Sequence, residues 1–403
     1  MALLAHKTAL QPNKAQKKVL NQHCDFARNA YNAALSDFKA GLDNGEFRSV
    51  YDLKKLFNAR KREAFPEIDG NLSMNAGKNA IHNFHDAVKR WQSGQNNFPK
   101  RKKHNSRSSF QIDNGVGSVK VSEDGNQHVI LPKIGKVRLA EKPRWTGKVR
   151  RAVISRTAHR WQISMLFEVD EPEPPDTSRL PAEGCDVGIS QLATLSDGTT
   201  FENPRALRVQ ERKLKRLNRS LSRKTYRSGG WWKAKELLAR LHLRIRHIRM
   251  DAHHQATHRI LQGISALGIE SLSVKGLMKN RKLSKALADA SLGGFLVKLK
   301  YKAVRRGIRI VEADRFWPST KRCSSCGYVK KKVSLSERDY HCGVCGFQAD
   351  RDVNAAINLK QLASSTDERL NAVGASITPT AVGWTRGRRK VKPNQTLIDF
   401  ATA

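Results

Sequence analysis

The sequence predicts a multidomain α/β protein, and changes of pattern along its 403 residues support that prediction. Apolar residues recur at helical spacing from about 12 to 94, whereas apolar and polar residues alternate from about 105 to 170. Short apolar strands then alternate with helical segments, and two pairs of cysteines follow. The length favours about two to three domains.

The first block is predicted to be helical. The stretch "LQPNKAQKKVL" contains a Pro-Asn helix start, after which Leu20, Tyr31 and Leu35 recur near helical spacing. "VYDLKKLFNARKREAF" and "MNAGKNAIHNFHDAVKRW" continue the same pattern. A break with a basic cluster, Lys100 to Lys103, ends this block.

The second block is predicted to be β-rich. "SVKVSED", "HVILPKIGKVRLA" and "VRRAVISRTAHRWQISMLFEV" alternate at a period of about two, between turns rich in Gly, Pro and Asp. "DEPEPPDTSRLPAEG" has the composition of a linker. We therefore expect a domain boundary there.

The third block is predicted to mix strands and helices. "CDVGISQLATLSDGTTF" indicates a strand, a turn and a second strand, whereas "LGIESLSV" and "IRIVEAD" indicate single strands around the helix "LGGFLVKLKYKAVRRG". From Arg205 to Arg249, 16 Lys or Arg stand against two Glu, on one or two long helices broken near "SGG". Such density favours contact with phosphates, the alternative being a solvated helix face. The chain beyond about residue 362 has no sustained period, so we expect disorder.

The charge of the chain is strongly positive. There are 75 Lys and Arg against 36 Asp and Glu, a formal net charge of +39, which opposes compaction unless a polyanion neutralises it. Nucleic acid is the expected partner, and a ribosomal or membrane-surface protein is the alternative. The sequence contains no run of 18 apolar residues, so it predicts no membrane span. The N-terminus lacks a signal-peptide core, so we expect a cytoplasmic protein whose six cysteines are reduced.

Two C-x2-C pairs predict a metal site. Cys323 and Cys326 form the first pair, Cys342 and Cys345 the second, and fifteen residues separate the pairs. Each pair can point two thiolates at one tetrahedral ion. Because all four ligands are cysteines and no position is left open, we expect one structural zinc ion. Disulfides or an iron site are the alternatives.

Acidic residues also stand at the edges of predicted elements. Asp186 begins an apolar strand, Glu270 lies within or just past another, and Asp352 opens the helix "DVNAAINL". If the three carboxylates converge, they repel one another unless cations are bound. Two Mg²⁺ ions roughly 3.5–4 Å apart would then clamp a scissile phosphate. Taken singly, acids in these settings are more often a turn residue, a surface strand end and a helix N-cap.

The sequence resembles the TnpB family, RNA-guided nucleases of bacterial insertion sequences related to type V CRISPR effectors. "CDVGISQLATLSDG", "LGIESLSVKGL", "DRFWPSTKRCSSCG" and "CGFQADRDVNAAINL" resemble the family's three split RuvC motifs and its zinc ribbon. "KTALQPNKAQKKVLNQHCDFARNAYNAAL" resembles the family's opening, and "SSFQIDNGVGSVKV" with "LPKIGKVRL" its β-rich segment. The resemblance extends to about residue 362. Cys185 departs from it, because the family more often has an aliphatic residue there.

The resemblance implies an RNase H-like RuvC nuclease domain with a zinc-ribbon insert. A β-rich, barrel-like wedge domain carrying an inserted α-helical recognition lobe would precede it. The implied segments are wedge 1–11 and 105–175, recognition lobe 12–104, RuvC 176–314 and 349–365, zinc ribbon binding target nucleic acid 315–348, and a disordered tail 366–403.

The resemblance also implies roles for particular residues. Asp186, Glu270 and Asp352 match the family's catalytic triad, which would hold two Mg²⁺ ions. Asp350 is the rival for the third position, but "DVNAA" matches the family's D-x-N-x-A pattern better. Cys323, Cys326, Cys342 and Cys345 match the ligands of one Zn²⁺. Basic density, in addition, leads us to expect nucleic-acid contacts at Lys100, Arg101, Lys102, Lys103, Arg212, Lys213, Lys215, Arg216, Arg219, Arg223 and Lys224. A solvated loop is the alternative for Lys100 to Lys103.

The implied function is that of an RNA-guided DNA endonuclease of a transposable element. One protein copy would bind a guide RNA derived from the transposon end, and recognise a short duplex motif beside the target. It would then cleave double-stranded DNA in a single RuvC site by Mg²⁺-dependent hydrolysis. Trp231 and Trp232 would stack on bases or pack on a neighbouring helix. The alternatives are a catalytically silent RNA-guided repressor, an unguided zinc-ribbon transposase accessory and a DNA transposase.

Overall fold

The structure, a computed structural model, describes residues 2–64, 72–104, 107–115, 118–122, 127–170, 175–334, 337–365 and 375–377. The chain divides into two compact units, which span residues 1–171 and 172–384. Among the described residues, no helix has the length and apolar character needed to cross a membrane.

The first unit contains an antiparallel sheet that the N-terminal strand completes. Its strands are β1 (Ala2–Gln11), β2 (Arg107–Asp113), β3 (Lys120–Val121), β4 (His128–Leu131), β5 (Gly135–Leu139), β6 (Lys148–Thr157) and β7 (Arg160–Val169). Their order is β2-β6-β7-β1-β5-β4-β3. Strand β1 lies between β7 and β5, in a register that runs from Ala2 opposite Val169 to Leu10 opposite Trp161. The β-rich block that the alternation predicted at residues 105–170 is therefore confirmed.

Helices α1 (Lys14–Asp43), α2 (Val50–Ala64) and α3 (Met74–Gln92) lie between β1 and β2 in the chain. Helix α1 begins at Asn13, which forms a capping box. The Asn13 side chain accepts the Gln16 N–H at 2.8 Å, and the Gln16 side chain accepts the Asn13 N–H at 3.1 Å. The predicted helical period is borne out in the core, where Tyr31 of α1 meets Phe84 of α3 edge to face, with ring centroids 5.4 Å apart.

The second unit contains a mixed sheet. Its strands are β8 (Ala182–Asp186), β9 (Gln191–Leu195), β10 (Thr200–Glu202), β11 (Ala266–Glu270), β12 (Arg309–Ala313) and β15 (Ala375–Ile377), in the order β10-β9-β8-β11-β12-β15. Strands β8, β11 and β12 are parallel, whereas β9, β10 and β15 run antiparallel to their neighbours. A short hairpin of β13 (Asp339–His341) and β14 (Gln348–Asp350) follows the first cysteine pair. The second pair lies between its two strands, and the helix α10 (Arg351–Ser364) comes directly after it.

Helices cover both faces of this sheet. They are α4 (Ala206–Val209), α5 (Glu211–Ser222), α6 (Gly229–Ile260), α7 (Val274–Leu277), α8 (Arg281–Ala290), α9 (Leu292–Arg305) and α10 (Arg351–Ser364). The end of α6 and all of α9 share a core with β8, β9 and β11, whereas α10 packs on the opposite face. The predicted break near "SGG" is confirmed between α5 and α6.

The C-terminal region differs from the prediction at one place. We predicted a mostly disordered tail at 366–403, but Ala375–Ile377 form the edge strand β15. Helix α10 ends at Ser364, within the predicted segment 349–365. Strand β15 is held by backbone hydrogen bonds to β12. Three residues are too few for a strand to be detected from periodicity in the sequence. Residues 366–374 and 378–403 of the expected disordered tail lie outside the described residues.

Candidate active site and zinc-binding site

Two of the predicted acids end neighbouring parallel strands. Asp186 is the last residue of β8 and Glu270 is the last residue of β11, and the residues before them, Cys185 and Ile269, are register partners. Because the carboxyl ends of parallel strands meet at one edge of a sheet, both side chains lie at the same edge. Asp352 reaches this edge from the first turn of α10.

The three carboxylates interact. Loss of hydration, followed by the negative charges of Glu270 and Asp352, holds the pKa of Asp186 well above its usual range, whereas Arg351 opposes that shift. Like charges in one cluster disfavour ionisation, and a bound cation reverses that penalty. Carboxylate oxygens are also the ligand type that Mg²⁺ prefers, so the residues present fit this metal.

Asp350 and Asp352 have different surroundings. The carboxylate of Asp350 accepts the backbone N–H groups of Asp352 at 2.8 Å and Val353 at 3.1 Å, so it caps α10. The carboxylate of Asp352 instead lies 3.4 Å from the guanidinium of Arg351 and acts on Asp186. Asp350 thus begins the helix, and Asp352 joins the acidic cluster.

Arg338 is a site residue that the sequence analysis missed. It directly precedes β13, and its Nη1 lies 3.9 Å from Oδ2 of Asp352. It also lines a cavity of about 490 Å³, whose other cationic side chains are those of Arg205, Arg208, Lys282 and Lys285. One arginine among 75 basic residues carries no signal of its own. Its only sequence clue is a position four residues before Cys342.

Ser319 is a second residue that the sequence analysis missed. This buried side chain follows β12, and its hydroxyl donates a hydrogen bond to the carboxylate of Glu270. The bond restricts the rotamers that Glu270 can adopt. The segment "PSTKRC" therefore connects the first cysteine pair to the acidic cluster within six residues.

The two predicted cysteine pairs come together. The sulfur atoms of Cys323 and Cys345 lie 3.7 Å apart, those of Cys326 and Cys342 lie 3.6 Å apart, and all four lie within 4.8 Å of one another. A tetrahedral ion with Zn–S bonds of about 2.3 Å requires sulfur separations of about 3.8 Å. The cluster therefore fits one zinc ion bound by four thiolates.

The cysteine pairs lie in two similar turns. The N–H of Cys323 donates to Tyr328 O at 2.8 Å, and the N–H of Cys342 donates to Phe347 O at 2.8 Å. Backbone N–H groups of Cys345 and Val344 lower the pKa of Cys342 to about 6. By contrast, burial raises the pKa of the Cys24 thiol, outside the cluster, to about 12. Within the cluster the N–H of Tyr328 lowers the pKa of Cys326, but hydrogen bonds with the neighbouring thiols and burial raise it to about 12. A bound cation is therefore needed to hold all four sulfur atoms as thiolates.

A row of amide side chains on α10 binds the first cysteine turn. Asn354 Oδ1 accepts the Ser324 N–H at 3.0 Å, and its Nδ2 donates to Arg322 O at 2.8 Å. Asn358 Nδ2 donates to Ser319 O at 2.9 Å and Gln361 Nε2 to Ser324 O at 2.7 Å. The helix that carries Asp352 is thereby joined to the candidate zinc site.

The predicted nucleic-acid contacts fall in two places, one in each unit. In the first unit, Arg101, Lys102 and Lys103 line a cavity of about 570 Å³ together with Arg28, and the ammonium of Lys102 lies 3.7 Å from the ring centroid of Tyr31. In the second unit the basic residues lie along α5 or directly after it, and Lys215 pairs with Glu211 at 3.0 Å. The predicted residues on or after α5 are Arg212, Lys213, Lys215, Arg216, Arg219, Arg223 and Lys224.

Fold and site together define a mixed α/β protein with an acidic cluster at its strand ends and a four-cysteine zinc-ribbon insert. Three family models match the chain: "Probable transposase" at residues 162–281, "Cas12f1-like, TNB domain" at 293–359 and "Helix-turn-helix domain" at 1–45. Of this last match the structure describes residues 2–45, which form one strand and one helix, β1 and α1, rather than a helix-turn-helix.

Known proteins resemble the chain over most of its length. A Mycobacterium tuberculosis (strain CDC 1551 / Oshkosh) protein named "Putative RNA-guided DNA endonuclease MT2953" is 30% identical, over 88% of this chain and 85% of its own. "Putative RNA-guided DNA endonuclease InsQ" of Escherichia coli (strain K12) is 32% identical, over 65% of this chain and 67% of its own. A chain of "Cryo-EM structure of the Cas12f1-sgRNA-target DNA complex" aligns with 14% identity and a TM-score of 0.35, over 89% of this chain and 99% of that one. The chain belongs to the TnpB family.

Proposed function

We propose that this protein is an RNA-guided DNA endonuclease that hydrolyses phosphodiester bonds at Asp186, Glu270 and Asp352. The observation that carries the proposal is the convergence of these carboxylates at the end of β8 and β11. Relatives that cover most of the chain bear the name of RNA-guided DNA endonuclease, which supports the same reaction class.

The proposed nuclease domain is RNase H-like and is of the RuvC type. The strand order β10-β9-β8-β11-β12, with three antiparallel strands followed by parallel neighbours, supports this assignment. The wedge segments 1–11 and 105–175 would correspond to β1 and β2–β7, and the recognition lobe 12–104 to α1–α3. The insert 315–348 holds the zinc site.

The acidic cluster would hold two Mg²⁺ ions. Bound there, such a pair would activate a water molecule and stabilise the leaving 3′ oxygen. The remaining contributions come from the chain itself. Ser319 orients Glu270, Asp350 begins α10 so that Asp352 faces Asp186, and Arg338 supplies a positive charge beside the position of the scissile phosphate. The zinc ion would be structural.

The nucleic-acid partners follow from charge and family. A net charge of +39 suits RNA and DNA together. In this proposal one protein copy binds one guide RNA from the transposon end in the cytoplasm, reads a short target-adjacent motif, and cuts both DNA strands in the single RuvC site. Sequence specificity then resides mainly in base pairing by the guide.

A silent RNA-guided repressor is the second candidate. It needs the basic surface but not the acidic cluster, so it gives no reason for three carboxylates to share one site against their mutual repulsion. The zinc ribbon alone would serve an unguided accessory equally well. The clustered acids therefore favour the nuclease.

The testing experiment begins with expression of the chain together with its native flanking DNA. Sequencing the co-purified RNA should reveal one dominant species that ends in sequence from outside the element. That RNA then directs cleavage of a matching duplex in Mg²⁺, and Asp186→Ala should abolish cleavage while it preserves RNA and target binding. A random RNA mixture would overturn the guided function, and full cleavage by Asp186→Ala would overturn the active site.

A further inference from the structure

Aromatic side chains meet at the turn between α5 and α6. Helix α6 begins at Ser228, whose side chain accepts the Trp231 N–H at 3.1 Å. The ring of Trp231 meets Tyr226 at a centroid distance of 5.0 Å and Trp232 at 4.8 Å, with interplanar angles of 76° and 85°. Tyr226, Trp231 and Trp232 are called the hairpin tip below.

The hairpin tip exposes much of its ring surface. Tyr226 is 67% exposed and Trp232 is 43% exposed. A single exposed aromatic residue needs no explanation, but two that both contact the ring of Trp231 form an apolar patch that water solvates poorly. Tyr226 and Trp232 each meet one neighbouring ring, that of Trp231, and an edge-to-face contact covers at most one face of a ring. The geometry therefore suits a flat ligand.

Cations surround these rings. The Lys235 ammonium lies 4.6 Å from the centroid of Trp231 and 4.8 Å from that of Trp232, and the Arg227 guanidinium lies 5.2 Å from Tyr226. Between residues 205 and 235 the sequence has 12 Lys or Arg and one acidic residue, Glu211. An apolar protein partner would have to desolvate these charges, whereas a polyanion would neutralise them.

We propose that the hairpin tip binds unpaired nucleotides of an RNA, with bases stacked on Trp232 and Tyr226 and phosphates on the neighbouring cations. Stacking requires a free base face, which a continuous duplex does not offer. Cations within cation–π distance of the rings place positive charge where the phosphates of a stacked strand pass. The site would accept any base sequence, because every base has a π-face.

The position of the tip favours a resident RNA over the DNA strand being cut. Trp231 lies 25 residues before Ala256 on the same helix, about 37 Å along its axis at 1.5 Å per residue. Ala256 belongs to the core that contains Cys185, the neighbour of Asp186. A nucleic-acid strand bound at the hairpin tip is thus remote from the carboxylates of the acidic cluster. The inference rests on the proposed function only in taking RNA as the resident partner, and it does not require cleavage.

The test measures binding to the full chain without Mg²⁺ and at one fixed salt concentration, because phosphate contacts depend strongly on salt. Three probes share one RNA hairpin. The first carries a single-stranded uridine RNA tail, the second has no tail, and the third carries a single-stranded DNA tail instead. Trp232→Ala should weaken binding of the RNA-tailed probe by about tenfold, the loss of one stacked base. The tailless probe should change little.

Matched variants separate stacking from folding. Leu237→Ala removes a side chain that is 50% exposed on the same helix and should bind like the wild type. Trp232→Phe keeps an aromatic face and should recover most of the lost affinity. In addition, 5-iodouridine in the RNA tail should photocrosslink to a peptide that contains Tyr226, Trp231 or Trp232.

Three results would overturn the proposal. If Trp232→Ala binds the RNA-tailed probe as tightly as the wild type does, Trp232 does not stack on a base, whatever the nuclease assay shows. If Trp232→Ala loses the same affinity for the tailed and the tailless probe, the ring serves folding or phosphate contacts. Tighter binding of the DNA tail than of the RNA tail would assign the site to a DNA strand.

Discussion

Gly184 and Gly268 lie opposite each other on the parallel strands β8 and β11, and the backbone of α10 passes directly over both. A Cβ built on Gly184 would lie well inside 3.0 Å of the Ala356 carbonyl oxygen, and one built on Gly268 would lie equally close to that of Leu359. Real Cβ atoms essentially never approach so closely. The paired glycines therefore allow α10 to contact the sheet with its backbone.

This close approach positions the third acid. Asp352 lies one turn before the helix segment that covers the glycines, and those strands end at Asp186 and Glu270 two residues further on. A helix held farther from the sheet would carry Asp352 away from its partners. The glycine pair thus belongs to the architecture of the proposed active site although neither residue has a side chain.

Gly268→Ala should destabilise the second unit. The added methyl group forces α10 outward, and overpacking of this kind typically costs about 1–3 kcal/mol, or about 2–4 °C in Tm for each kcal/mol. Differential scanning calorimetry should show the lowered Tm, and guided cleavage should fall. Gly229→Ala is the control, because a Cβ there meets nothing within 4 Å. Equal melting of Gly268→Ala and wild type would contradict the tight packing.

The pair Asp352→Asn and Asp350→Asn should separate catalysis from helix capping. Asn keeps a side-chain oxygen that can accept the N–H groups now bound by Asp350, so the cap survives. We expect Asp350→Asn to cleave within about threefold of wild type, whereas Asp352→Asn should lose about 10³-fold or more in single-turnover rate, as expected for loss of a metal-held transition-state contact. The reverse outcome would assign the third position to Asp350.

Asp186→Asn should stabilise the protein in the absence of divalent cations. The pKa of Asp186 is raised on folding, so the folded state binds this proton more tightly than the unfolded state. Its contribution to stability is therefore full at low pH and falls as pH rises from about 3.9 through the raised pKa. The Tm difference between Asp186→Asn and wild type in EDTA should grow with pH and then level off.

Adding Mg²⁺ should make the wild type more stable than Asp186→Asn. Cations that bind the folded cluster raise the Tm of wild type by mass action, and the effect should be smaller in Asp186→Asn. A Tm difference that does not change with pH or Mg²⁺ would contradict electrostatic repulsion within the cluster.

Cys326→Ser should lower the zinc content of the purified protein from one ion per chain towards none. Three remaining thiolates bind zinc less tightly, and the insert depends on metal binding worth roughly 10–16 kcal/mol in comparable sites. Elemental analysis and limited proteolysis of residues 315–348 provide the measurements. Cys24→Ser replaces a buried thiol outside the cluster and should retain zinc. Unchanged zinc in Cys326→Ser would show that the ligand set is wrong.

Arg338→Ala should slow cleavage while leaving guide binding intact. The guanidinium lies 3.9 Å from Asp352, and it lines a cavity in which five cationic side chains stand against Glu211 and Asp289. In the proposed site its loss would remove positive charge where phosphate charge develops. Removing one such contact typically costs about 10²–10³-fold in rate. Lys332→Ala, an exposed cation of the same insert, is the control. Equal rates for the two variants would exclude Arg338 from the site.

Local patterns of the sequence determined the helices α1–α3, the strands of 105–170 and the cysteine cluster. Each depends on residues close together in the chain, where period and spacing carry the information. The acids Asp186, Glu270 and Asp352 were also found as individual candidates, though acids in such settings are more often a turn residue, a strand end and a cap.

Only the tertiary structure decided which of those candidates meet. The position of β1 between β5 and β7, the approach of α10 over Gly184 and Gly268, and the place of Arg338 beside Asp352 all join residues far apart in the chain. Such contacts depend on packing and on loss of hydration, which have no signature in a local pattern. The resemblance already favoured Asp352 over Asp350, and the hydrogen bonds of the helix cap give a physical reason for that choice.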